Sequence, residues 1–377
     1  MRILVIGMAD SVHLAKWLRQ FSHTDHVFEI VSSSPHRRIH PILKSLLRDG
    51  SSYRIHWISR IFSLPLWIGD RIFSDWLRGL LIAWRSRRFK PDLVHVLEFQ
   101  NGGYSYLRAA QLTRSLDIPL LLTPYGSDMY WFQQFPKHLK KIEVLLRRAS
   151  GISSECRRDE LLAEKYGFRG KFAPRLPASG GMELNPSNSL NYLRTRISIK
   201  GYQNHWGQAL LALKCVESLA ADLKSFEITL FSCNRVTMRA AQHLQARTGL
   251  QVTAFPKGAL NNDEVHQILS ESIALIALSK SDGVPASMLE AMANGAVPIQ
   301  SYTSAADEWL LDGQGGFLVA WDDEKLIKEK LLYIVKHPEF RESAARVNFE
   351  RLKSSIDPGV TLDLAMKTYA MFAQSKN

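Results

Sequence analysis

Strand and helix signals alternate along this sequence from one end to the other, and that alternation limits the possible folds more than any other feature. Short apolar runs bounded by turn residues are each followed by a longer amphipathic stretch, the pattern of an α/β fold with parallel sheets. Residues 2–6 read as strand and 12–21 as helix. Strands are expected at 26–32, 93–96, 120–123 and 151–154, and helices at 104–116, 139–148 and 157–166. Residues 174–189 are rich in Pro, Gly, Ser and Asn, which marks a domain boundary. A second series follows, with strands at 193–199, 227–231, 272–278 and 297–300. Its helices are expected at 206–219, 238–248, 263–270, 287–293, 325–336 and 338–351. A last helix, 361–374, is expected to return to the first domain. The 377 residues therefore divide into an N-terminal α/β domain over 1–185, a C-terminal one over 186–360, and a tail over 361–377.

The formal net charge of +12 is unevenly spread. Residues 36–90 carry twelve Lys/Arg against three acids, a surplus of nine, interleaved with Trp57, Phe62, Trp67, Phe73, Trp76 and Trp84. Basic residues among Trp, Phe and Leu suit the headgroup boundary of an anionic membrane. A helical pair packed on its own domain, with solvated arginines outside, is the plainer alternative. No nucleic-acid recognition motif accompanies the charge, so nucleic acid is not an expected partner. No stretch reaches eighteen uncharged apolar residues, and the first apolar run is too short for a signal peptide. Cys156, Cys215 and Cys233 are widely spaced and form no C-x-x-C pair, which fits a reducing compartment without structural disulfides or a metal site. The expected location is cytoplasmic, peripheral on the inner face of the membrane.

Residues 281–299, Ser-Asp-Gly-Val-Pro-Ala-Ser-Met-Leu-Glu-Ala-Met-Ala-Asn-Gly-Ala-Val-Pro-Ile, carry the most chemical information. They read as loop, helix, Gly cap and strand. A loop opening a helix aims free N–H groups and a positive dipole end outward, a setting for a diphosphate. Gly283, Val284, Pro285 and Ser287 form that loop and helix start. Glu290 lies in the first turns, where a carboxylate can accept from a ribose diol. Asp282 ends the preceding strand and can accept from sugar hydroxyls. Ser287-x-x-Glu290 is equally a capping box, and Asp282-Gly283 equally a turn.

The stretch resembles the donor-binding signature of glycosyltransferase family 4, two acids separated by seven residues and then Ala-Met-Ala-x-Gly-x-Pro-(Ile/Val). Asp282 stands where Glu is usual, and Glu290 matches. The resemblance implies a GT-B architecture, two Rossmann-like domains facing each other across a cleft. It also implies a nucleotide-sugar donor, UDP- or GDP-linked, with retention of anomeric configuration. It places a Lys-Gly pair at Lys200-Gly201 and an Arg six residues earlier at Arg194, with Arg196 competing; both cations would hold the donor phosphates. The segment 308–319 resembles the family's closing segment. Asp282, Glu290, Arg194 and Lys200 are thus the expected catalytic and donor residues. No other cofactor is expected. No Asp-x-Asp pair occurs, so catalysis without a metal is expected.

The N-terminal domain is expected to hold a glycan or lipid-linked acceptor, in envelope or capsular polysaccharide synthesis. His13 follows the first strand's loop, and Glu98 precedes Gly102-Gly103. Asp128 closes Thr-Pro-Tyr-Gly-Ser-Asp, which resembles the family's His-Gly-Ser-Asp with Tyr125 in place of His. Asp128 either orients a sugar hydroxyl or caps the next turn. A nucleotide-sugar epimerase and a non-catalytic nucleotide-binding protein are the alternative functions. The missing Gly-x-Gly-x-x-Gly argues against a dehydrogenase.

Overall fold

The computed structural model describes residues 1–50, 52–186 and 194–373. The chain forms two compact units, Met1–Met182 with Pro358–Asn377, and Glu183–Asp357. Residue 193, the expected start of one strand, residues 187–189 of the boundary stretch and the end of the last helix at 374 lie outside the described residues.

The first unit is a seven-stranded sheet, every paired strand parallel to its neighbour. Its strands are β1 (Arg2–Gly7), β2 (Val27–Ser32), β3 (Tyr53–Ile55), β4 (Leu93–Leu97), β5 (Leu120–Thr123), β6 (Gly151–Ile152) and β7 (Lys171–Phe172). They run in the order β3-β2-β1-β4-β5-β6-β7. β1, β4 and β5 are apolar on both faces because helices cover both sides, which is why they read as continuous runs rather than alternations. The helices are α1 (Val12–Arg19), α2 (Pro41–Asp49), α3 (Trp57–Ile61), α4 (Ser63–Ile72), α5 (Trp76–Phe89), α6 (Tyr104–Leu112), α7 (Ser127–Tyr130), α8 (Pro136–Arg148) and α9 (Arg157–Lys165). The basic insertion over 36–90 is mostly helical, and it also contributes the edge strand β3. That strand escapes a periodicity reading because it is three residues long and carries Arg54 at its centre.

The second unit has six parallel strands in the order β10-β9-β8-β11-β12-β13. These are β8 (Arg196–Lys200), β9 (Glu227–Cys233), β10 (Val252–Pro256), β11 (Ser272–Ala277), β12 (Val297–Ser301) and β13 (Phe317–Val319). The covering helices are α10 (Ala209–Ser218), α11 (Arg235–Thr248), α12 (Asn262–Ser270), α13 (Ala286–Ala293), α14 (Glu324–Lys336) and α15 (Pro338–Lys353). β10 has no clear sequence signal because it is a half-exposed edge strand ending in proline.

The last helix, α16 (Pro358–Ala373), packs within the first unit. Trp17 Nε1 on α1 donates to the Tyr369 hydroxyl at 2.8 Å, and His95 Nδ1 on β4 lies 3.0 Å from the same oxygen. Phe372 fills the space over Gly151, where an added Cβ would sit 2.0 Å from its ring. Among the described residues no helix is long and apolar enough to cross a membrane.

Candidate active site

In an open parallel sheet, ligands bind outside the carboxyl ends of the strands where the strand order reverses. In the second unit that point lies between β8 and β11, whose trailing loops splay to opposite sides. The two loops are stitched together. Lys280 N donates to Trp206 O at 2.9 Å, and Gln208 N to Leu278 O at 3.0 Å. From the other flank, Ala305 N donates to Gly283 O at 3.0 Å and Ser279 N to Ser301 Oγ at 2.9 Å. Gly201 makes the first loop possible, since a Cβ there would lie 2.5 Å from Cys233 Sγ and 2.8 Å from Phe231 O.

This bracing brings Lys200 and Asp282 together, Nζ to Oδ2 at 3.8 Å, each partly open to solvent. The other oxygen of Asp282 accepts from Gly283 N at 3.0 Å, which fixes the carboxylate across the loop. The Lys200 ammonium also lies 5.4 Å from the centre of the Tyr202 ring.

α13 begins beside Asp282. Its cap is Pro285, which has no side chain to satisfy the first N–H groups. Ser287 sits inside the helix rather than at its cap, so the capping box that its spacing with Glu290 allows does not form. The Ser287 hydroxyl is buried and, among the described residues, has no hydrogen-bond partner. Glu290 is half-buried three residues further on. Gly283, Val284 and Pro285 make the turn between Asp282 and the helix, and Gly295 closes the far end at φ +76°.

Arg194 is not part of this group. Its Nη1 donates to Asn294 O at 2.8 Å and to Ser272 O at 3.1 Å, at the opposite end of α13 and the start of β11. Six residues of extended chain separate it from Lys200, about 20 Å at the strand rise. Burial, reinforced by Arg341, lowers its pKa to about 10. A cation there satisfies carbonyls at a helix C-terminus. Arg196 is held at the same amino edge by Glu271 at 2.9 Å and Glu227 at 3.2 Å. The resemblance placed a phosphate-binding arginine at this point, but in this chain β8 continues to Lys200 and leaves both arginines behind. Sequence periodicity also passes over Lys257, the residue just beyond β10, whose ammonium lies 5.7 Å from the Tyr202 ring. Recognising β10 as a strand would have placed Lys257 at the same carboxyl edge.

In the first unit the reversal lies between β1 and β4. Glu98, one residue past β4, is buried with φ +78°, and its carboxylate accepts from Asn101 N at 2.9 Å and from Gly102 N. Asp128 is buried too, and its Oδ2 accepts from Phe99 N at 3.0 Å and Tyr125 N at 2.9 Å. Both carboxylates are therefore turned onto the backbone, where they shape two loops. Of the two roles open to Asp128 this is the structural one, and Glu98, read from the sequence as an acceptor contact, has its oxygens engaged in the same way. His13 is half-buried on α1, with its ring 5.3 Å from that of Tyr125.

Burial, with the charge of Glu98 second, raises the Asp128 pKa to about 8. The folded chain thus holds this proton more tightly than the unfolded chain, whose aspartates titrate near 4. The resulting stability is full below about pH 4 and is lost as pH rises through about 8. Asp128→Asn keeps a carbonyl oxygen for both N–H groups and removes the titration. The urea midpoint of the wild type is expected to fall between pH 5 and 8.5, and that of the variant to fall distinctly less.

A surface groove of about 730 Å³ lies at the amino ends of β5 and β7, lined in part by Tyr106, Asp117, Arg148, Arg169 and Lys171. It sits at the end of the sheet away from the loops described above.

Residues 239–350, which include the loop after β11, α13 and Glu290, match the family model described as glycosyl transferases group 1. This chain carries a group 1 glycosyl transferase domain. A sequence comparison with curated proteins finds no match. Solved glycosyltransferases share the fold of the whole chain. HepE of Anabaena, solved in complex with UDP-glucose, aligns with a TM-score of 0.69 at 12% identity over 98% of this chain and 100% of that one. An α,α-trehalose-phosphate synthase (UDP-forming) from Burkholderia vietnamiensis gives 0.72 at 13% over 100% of both. Sucrose-phosphate synthase from Thermosynechococcus elongatus gives 0.69 at 13% over 99% and 98%. The two parallel-sheet units are thus the GT-B fold, and the group 1 domain spans the switch-point loop of Asp282 and the helix of Glu290.

Proposed function

We propose that this glycosyltransferase takes its sugar from a nucleotide-sugar donor held at the carboxyl ends of β8 and β11, and passes it to a hydroxyl of a glycan or lipid-linked acceptor. One observation carries the reading: Lys200, Asp282 and the uncapped first turn of α13, with its enclosed Ser287 hydroxyl, share one switch point. The helix N–H groups and Lys200 meet the diphosphate, and Lys257 takes the place of Arg194 as second cation. Glu290 accepts from the ribose diol, and Asp282 from the transferred sugar. HepE was solved with UDP-glucose, which supports a UDP-linked donor.

The acceptor belongs to the N-terminal unit, with the half-buried His13 of α1 as its contact. The acceptor oxygen bonds to the anomeric carbon on the face from which the nucleotide departs. The bond to the diphosphate oxygen breaks, and that oxygen takes the acceptor proton. Configuration is retained, and trapping a covalent glycosyl-enzyme would overturn this step. The basic, aromatic segment supports peripheral contact with the inner face of an anionic membrane, in envelope or capsular polysaccharide synthesis.

A thermal-shift panel of UDP-, GDP- and ADP-sugars tests the donor site. A ligand that binds only the folded state adds about 2.7 kcal/mol at a hundred times its Kd. One UDP-sugar is expected to raise the melting temperature of the wild type, with the rise lost in Glu290→Ala. Equal affinity in both proteins would count against the site.

A further inference from the structure

Eleven of the twenty-one large apolar side chains exposed among the described residues fall within 57–84. α4 is inside out. It buries Ser63, Gly69 and Asp70, while Leu64, Ile68 and Ile72 face solvent at four-residue spacing. α5 buries Leu81, Ile82 and Phe89 beneath it, and leaves Trp76, Leu80 and Trp84 outside at the same spacing. A soluble amphipathic helix carries its apolar stripe inward, so one carried outward marks an interaction face. The inversion is locked by a polar core: Arg78 is buried, bonds Asp70 through Nε at 3.1 Å, and donates to the carbonyl of Ser32. A chain of rings joins the helices into one face, Trp84 to His56 at 5.1 Å, His56 to Trp57 and Trp57 to Phe62 at 6.4 Å each.

The charge on this face has one sign. Arg60 on α3, Arg71 on α4 and Arg88 on α5 are exposed, and Arg71 lies 4.8 Å from the centre of the Trp67 ring. Among the described residues of 52–90 no acidic side chain is exposed: Asp70 is buried, and Asp75 is half-buried against Lys141 at 2.6 Å. A second copy seated on this face would set arginines against arginines across an isologous interface. An anionic bilayer offers apolar depth for the rings and phosphate charge for the guanidinium groups.

We propose that the outer face of α3, α4 and α5 is a membrane-docking surface, with Leu64, Ile68, Ile72, Trp76, Leu80 and Trp84 entering the headgroup boundary of an anionic bilayer. The proposal rests on the peripheral-membrane part of the proposed function and is independent of the donor site. The test is co-sedimentation with vesicles of phosphatidylglycerol and phosphatidylcholine at low salt, against vesicles of phosphatidylcholine alone. The wild type is expected to bind the mixed vesicles only. The substituted residues Ile72, Phe73 and Leu80 are 68%, 57% and 51% exposed, so I72S/F73S/L80S is expected to fold normally and to partition at least about tenfold less. R60Q/R71Q is expected to lose about fivefold per arginine and to bind with a weaker salt dependence. The UDP-sugar thermal shift, measured on the same samples, is expected to be unchanged in both variants, which separates failure here from failure of the donor site. Equal sedimentation of wild type and I72S/F73S/L80S would overturn the proposal. So would a wild-type dimer in solution that this variant dissociates while neither binds vesicles.

Discussion

Lys200→Ala is expected to slow sugar transfer by about two to three orders of magnitude while hardly moving the urea midpoint. Removing one preorganised charge from a site where charge develops costs about 10²–10³ in rate. The folding contribution of the same residue is small. Its ion pair with Asp282 is 3.8 Å long and partly exposed, and such pairs contribute about 0–1 kcal/mol. A purely structural lysine would show the opposite balance. The measurement is nucleoside diphosphate release from the sugar donor selected by thermal shift, beside urea unfolding. Lys200→Arg, which keeps the charge, is expected to recover part of the rate. A variant with full activity would remove Lys200 from the phosphate site.

Asp70→Ala is expected to be the most damaging single change in the helical insertion, by about 3–5 kcal/mol. Arg78 is buried, and its backbone N–H and Nε both donate to Asp70, at 2.9 Å and 3.1 Å. Without Asp70 the guanidinium keeps its desolvation cost and loses its counter-charge. The carboxyl itself is under strain of the same kind, since burial raises its pKa even against the pull of Arg78. Replacing both partners by apolar residues of similar size, D70L/R78M, is expected to recover most of the loss, because neither charge of the pair is then left buried without the other. Urea midpoints of the three proteins decide it. A single variant as stable as the wild type would mean that solvent reaches Arg78, contrary to its burial. The lock matters beyond stability, since it holds α4 with its apolar stripe outward.

The strands were legible where helices cover both faces, because burial on both sides leaves an unbroken apolar run, as in β1, β5 and β11. β3 and β10 were not, since each is an edge strand with a mixed, half-exposed composition. The site followed the same division. Asp282, Ser287 and Glu290 lie within nine residues of chain, so their spacing carried the family signature directly. Glu98 and Asp128 stand at the right ends of β4 and β5 but bond backbone N–H groups, and sequence position does not say which way a carboxylate turns.

The sequence by itself determined the alternation of central strands and helices, the two-unit α/β class and the loop-helix signature around Glu290, because these depend on local periodicity and turn chemistry. Tertiary structure alone decided that Lys200 meets Asp282 while Arg194 is left at the other end of the sheet. It also decided that Arg78 lies buried beneath helices whose apolar side faces out. Both outcomes depend on which strands become neighbours and which helix face packs, and those pairings join residues far apart in the chain.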